Sequence, residues 1–84
     1  MVHELKTWEK YFRLVANGKK PFELRKNDRG FLPGHELLLR EYNPYTQSYT
    51  GQTLRRKITY ILENSEAEKF GLKPGYYIMA LEKL

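Results

Sequence analysis

Within the stretch NGKKPFELRKNDRGF, residues 17–31, the cations Lys19, Lys20, Arg25, Lys26 and Arg29 are set against only two anions, Glu23 and Asp28. If 21–26 is a strand, Glu23 and Arg25 share a face about 6.5–7 Å apart, with Lys20 just ahead of them. Such a group can hold a phosphate or carboxylate with its cations. Glu23 would orient those cations and accept a hydrogen bond from a base amino group. The competing reading is a solvated strand edge, whose i, i+2 ion pair is worth under ~1 kcal/mol and serves nothing. The residues by themselves leave both readings open.

Other chemistries lack their parts. His3 and His35 are the only histidines, far apart in sequence and without an acidic or cysteine partner at ligand spacing, so no metal site is expected. A catalytic triad would have to combine Ser48 or Ser65 with a histidine and Asp28, and no nucleophile-elbow pattern surrounds either serine. No phosphate-cradling loop or dinucleotide fingerprint is present, and no cofactor is expected. The chain has no cysteine, which excludes disulfides and thiolate ligands and suits a reducing cytoplasm. No apolar run approaches the ~20 residues that span a bilayer, and the N-terminus lacks a signal-peptide layout, so no membrane partner is expected.

A net charge of +5 favours an anionic partner, nucleic acid being the commonest. Seven tyrosines offer flat faces for stacking on bases; the plainer alternative is that they fill a small β-rich core with their hydroxyls at its rim. A second basic group, Arg55, Arg56 and Lys57, opens a strand on which only Arg55 and Lys57 share a face. It reads best as a charged strand end that deters edge-to-edge pairing.

The elements that must position these residues follow from periodicity. HELK (3–6) alternates as a short strand, and Thr7 stands where a helix N-cap would. Trp8, Tyr11, Phe12 and Val15 repeat at helical spacing, predicting a helix over 8–16 that Asn17-Gly18 ends. In PFELRK (21–26), Phe22 and Leu24 are expected to face the core, with Glu23 and Arg25 on the opposite face. Turn chemistry fills 27–34. Residues 35–42 read as a strand buried on both sides, 43–52 as a polar hairpin tip, and 53–62 as a longer strand. Ser65 is a candidate cap for a helical turn with Glu68 three residues on, and 76–84 closes the chain as a strand. The expectation is one α+β domain over 1–84: a small, partly closed β-barrel of about five strands with one N-terminal helix beside a cleft. A monomer is expected.

GKKPFELR (18–25) matches the G-x-K-x-x-E-x-R signature of the ASCH domain, a relative of PUA domains, with Gly18, Lys20, Glu23 and Arg25 at the fixed positions. HELK, RKNDRGF, YTGQ (49–52) and GLKPGYYIM (71–79) also resemble a small bacterial and phage subgroup of that family. The resemblance implies a PUA-like barrel whose signature lines a cleft, and RNA or a nucleotide-like ligand. Lys20, Arg25, Lys26 and Arg29 would then contact phosphate or polar base atoms, and Glu23 would accept from a base. Tyr60 and Tyr76 are expected on strands flanking the cleft.

Some small members of the family are amidohydrolases that deacetylate N4-acetylcytidine with a lysine, a threonine and a glutamate. Lys20 stands at the lysine position and would be the catalytic base. Glu23 replaces the threonine, and the glutamate would come from Glu63, Glu66 or Glu68. A protein-interaction module is the third reading.

Overall fold

Alternation and turns produce five strands and two helices: β1 (Val2–Trp8), α1 (Glu9–Ala16), β2 (Phe22–Lys26), β3 (Glu36–Asn43), β4 (Ser48–Leu62), α2 (Asn64–Lys69) and β5 (Tyr76–Lys83). The computed structural model describes residues 1–84 apart from the side chains of Asn64 and Ser65, so the expected Ser65 cap lies outside the described residues. The strands form one curled sheet in the order β1-β3-β4-β5-β2. The β1–β3 pair is parallel and the other three are antiparallel. The result is an α+β half-barrel, with a helix following the first strand. Among the described residues no helix is long and apolar enough to cross a membrane.

Two irregularities in β4 produce the curl. A straight strand of 15 residues would run about 50 Å, well beyond the 37 Å longest extent of the molecule. The register shifts opposite Glu41, where Gly51 takes φ +93°, a conformation that disfavours any side chain. It shifts again at Thr59, which has no partner between the pairs Ile58–Leu81 and Tyr60–Ala80. The extra residue resets the alternation, so Ile58 and Ile61 both reach the core although three positions apart.

That core joins Leu5, Leu37, Leu39, Ile58 and Met79 of the sheet to Phe12 and Val15 of α1, and is plugged by Phe31 from the loop before β3. The Asn27 side-chain oxygen accepts from the Phe31 N–H at 3.1 Å, which fixes that loop. Gly18 takes φ +81° as expected, and the chain turns so that the Lys20 N–H bonds the Leu14 carbonyl at 2.9 Å.

Five expectations are corrected. Thr7 is not a cap: β1 continues to Trp8, helix α1 starts at Glu9, and the Thr7 side chain is buried on the inner face with its hydroxyl donating to the Leu5 carbonyl. Trp8 ends β1 on the outer face and is half-exposed instead of joining the apolar stripe of α1. Strand β3 is not buried on both sides, since only Leu37, Leu39 and Glu41 on its inner face are fully buried. The hairpin tip is shorter than expected, because β4 already begins at Ser48.

The fifth correction concerns β2, whose faces are inverted. Glu23 is 2% exposed, whereas Phe22 and Leu24 are 43% and 49% exposed. Register with β5 explains this: Glu23 lies opposite Met79, a core residue that is 0% exposed, and so shares its face. A slip of one residue would restore the apolar pair to the core but would expose Met79 or unpair the strands. Replacing Leu24 with Ser is therefore expected to cost under ~1 kcal/mol, whereas Leu39→Ala should cost about 2–5 kcal/mol. Thermal denaturation of the two variants checks this; comparable losses would contradict the observed faces of β2.

Candidate functional site

Five strands do not close a barrel, and the open seam lies between the edge strands β1 and β2. Since the Met1 carbonyl accepts from the Glu36 N–H, the odd-numbered residues of β1 bond to β3 and the Glu4 and Lys6 carbonyls face the seam. Arginine side chains reach them from the other side. Arg25 donates from Nη2 to the Lys6 carbonyl at 3.0 Å and to the Thr7 hydroxyl at 3.3 Å. Arg29 donates from Nη1 to the Glu4 carbonyl. Guanidinium groups thus stand where a fifth ladder would be.

The Glu23 carboxylate anchors this seam. Its Oε1 accepts from Lys20 Nζ at 2.7 Å and its Oε2 from Arg25 Nε at 2.9 Å. Lys20 also donates to the Phe22 carbonyl at 3.0 Å, and its ammonium lies 5.1 Å from the Phe22 ring centroid. A buried carboxylate loses several kcal/mol of hydration unless it is paired and hydrogen-bonded; here each oxygen has its own cation. Sequence spacing left a surface pair and a working cluster both open, and the burial of Glu23 makes this no exposed surface pair.

Around the cluster lies an open groove of about 520 Å³ lined by Lys6, Thr7, Trp8, Tyr11, Lys20, Phe22, Glu23, Leu24 and Arg25. Its walls are the half-exposed rings of Trp8, Tyr11 and Phe22, and its floor is the ion cluster. A second groove of about 320 Å³ is lined by Leu5, Leu24, Arg25, Lys26, Asp28, Arg29, Phe31 and Tyr76. Of the residues expected at the site, Lys20, Glu23 and Arg25 meet in the first groove, while Lys26, Arg29 and Tyr76 line the second with Arg25 common to both.

Tyr60 lines neither groove. It lies on β4, which is separated from both edges of the seam, so the expectation that its strand flanks the cleft is corrected. Glu63, Glu66 and Glu68 also lie outside both grooves, before and along α2, which packs on β5. Sequence reasoning missed Thr7, Trp8, Tyr11 and Phe22. Their available signal was the alternation of β1, which, continued past Lys6, turns Trp8 outward.

The two histidines, remote in sequence, meet behind this region. His3 Nε2 and His35 Nδ1 are 3.0 Å apart, and the edge of the His3 ring packs on Phe31 with centroids 4.8 Å apart. Among the described residues no cluster of three metal-ligating side chains includes them. Burial lowers the pKa of His3 from the ordinary 6.5, helped by His35, the N-terminal amine and Arg29.

The fold so defined is a small α+β half-barrel with a polar-floored, aromatic-walled cleft at its seam. The chain belongs to the family described as Domain of unknown function (DUF3850), whose pattern it matches over residues 2–81. An uncharacterised 12.9 kDa protein in the GpA 3′ region of Escherichia phage P2 is 38% identical over 65 residues, which make up 77% of this chain and 58% of that protein. The matched region therefore spans a little over half of its relative's length. The crystal structure of hypothetical protein PH0355 superposes with a TM-score of 0.65 over 100% of both chains at 20% identity, a likeness of fold.

Two outcomes are expected from this arrangement. Replacing Glu23 with Leu leaves Lys20 and Arg25 without their anion; both keep partial access to water, so the loss should be near the low end of the range for breaking a buried pair, about 3 kcal/mol. Chemical denaturation measures it, and a loss below ~1 kcal/mol would show the pair to be no stronger than a surface one. For His3, the lowered pKa means that the unfolded chain binds the extra proton more readily. Its contribution is complete above the unfolded value of 6.5 and is lost as pH falls below it. The thermal midpoint should drop between about pH 6.5 and 5, above the ordinary carboxylate range, and the drop should shrink in His3→Gln.

Proposed function

We propose that this chain is an ASCH-type, PUA-like domain that binds RNA or a nucleotide-like ligand in the seam groove. The observation that carries this reading is the Glu23 carboxylate held between Lys20 and Arg25 on the floor of a groove walled by Trp8, Tyr11 and Phe22. Flat aromatic walls suit a base face, and stacking tolerates any base. The floor offers an acceptor beside donors, which is what the edge of a base requires. Each Glu23 oxygen has a second lone pair beyond the one its cation uses, and that lone pair would accept from a base amino group. Excess positive charge supports an anionic ligand.

Two competing readings are weaker on the same geometry. Hydrolysis of an N4-acylated cytidine would use Lys20 as base, but Glu23 occupies the alcohol's position and Glu63, Glu66 and Glu68 lie away from the groove. The groove's aliphatic hydroxyl, that of Thr7, is engaged with Leu5 and Arg25. A protein-interaction module would suit an apolar groove without an ion cluster, whereas Lys20, Glu23 and Arg25 all line this one.

Fluorescence anisotropy of labelled single-stranded RNAs tests the proposal. Trp8 is half-exposed, so Trp8→Ala should preserve the thermal midpoint while weakening binding about tenfold, from loss of one stacked base. The double variant Lys20→Ala, Arg25→Ala should lose measurable binding, and wild-type affinity should fall with log salt. Unchanged affinity in both variants would sink the assignment. Release of cytidine from N4-acetylcytidine above a Lys20→Ala control would move it to hydrolysis.

A further inference from the structure

The two grooves differ in what they leave unspent. In the first, Lys20 is committed to Glu23 and the Phe22 carbonyl, and the exposed Lys6 places its ammonium 4.4 Å from the Tyr42 ring centroid. What remains there is mostly aromatic surface, with the spare lone pairs of Glu23. In the second, Lys26 is exposed on β2 and its side chain makes no hydrogen bond or ion pair among the described residues. Arg29 uses Nη1 on the Glu4 carbonyl, its Nε lies 3.8 Å from Asp28, and its Nη2 has no partner among the described residues. Asp28, the only anion lining this groove among the described residues, has a side chain 67% exposed to solvent.

Arg25 joins the two. It donates through Nε and Nη2, while its Nη1 amino group has no partner among the described residues. With the half-exposed Leu24 it forms the saddle common to both grooves. Bases need flat apolar walls, whereas phosphates need cationic N–H donors that are not already engaged.

We propose that the second groove is a phosphate subsite, with Lys26, Arg29 and the free Nη1 of Arg25 as its donors, serving the nucleotide whose base lies in the first groove. The ligand class is then a phosphate-bearing nucleotide or single-stranded RNA crossing the seam over Leu24, and a free nucleoside occupies only half of the site. This inference rests on the nucleotide-binding reading of the first groove.

The test compares the four ribonucleosides, their 5′- and 3′-monophosphates and homopolymeric trinucleotides by titration calorimetry, on wild type, Lys26→Gln and Lys26→Glu. At least one monophosphate of a bound base should bind about tenfold or more tighter than its nucleoside, as expected for new charge-assisted hydrogen bonds. Lys26→Glu should bring that ratio to about one. With trinucleotides, Lys26→Gln should reduce the slope of log affinity against log salt by about one. A gain confined to monophosphates identifies a free nucleotide, and a gain seen also with trinucleotides identifies RNA. Equal affinity for nucleosides and monophosphates, or a ratio and salt slope that Lys26 variants leave unmoved, overturns the phosphate subsite while the base groove stands. Failure of every compound to bind overturns both.

Discussion

The Glu23 carboxylate is buried in the seam with each oxygen bonded to a different cation, and the geometry of the cleft follows from that constraint. A carboxylate this inaccessible must be compensated, and Lys20 and Arg25 supply the compensation from either side of it along the chain. Fixing Arg25 by its Nε aims its Nη2 at β1, where the Lys6 carbonyl and the Thr7 hydroxyl accept. Well-packed apolar side chains at all three positions, 20, 23 and 25, could stabilise the fold as well or better. They would leave β1 without the Arg25 bridge and the groove with no polar floor.

The seam shows how a sheet too small to close can still manage its edges. Exposed strand edges invite pairing with other chains, and β1 and β2 face each other without a backbone ladder. Guanidinium groups are longer than a backbone hydrogen bond, so arginine bridging holds the edges together while leaving space beside each bridge. Those spaces are the two grooves. The bulges in β4 contribute from a distance, since they curl the sheet enough to bring its first and last strands together.

Helix α1 completes one wall. Its two fully buried residues, Phe12 and Val15, dock it on the sheet, and Gly18 in the left-handed conformation turns the chain toward β2. Lys20 is thereby delivered next to Glu23. A single tight turn thus links helix termination, which is local, to the ion cluster, which is tertiary.

Much of the framework was legible from local pattern. The helix and its glycine stop, the turn-rich 27–34 segment, five strands and a small α+β barrel all follow from periodicity and turn chemistry, because those depend on neighbours in the chain. The crowding of Lys20, Glu23 and Arg25 was visible for the same reason. The sequence by itself did not determine which face of β2 points inward. Phe22 and Leu24 alternate with Glu23 and Arg25, and hydrophobicity alone favours burying the apolar pair; the register with β5, centred on Met79, decided the opposite. The meeting of His3 with His35 was likewise out of reach, since the parallel pairing of β1 with β3 creates it. Composition and spacing determined which charged groups were present, and only the tertiary structure decided that the carboxylate would be dry and the aromatic rings wet. Burial is a property of strand pairing, and pairing is set by residues far along the chain.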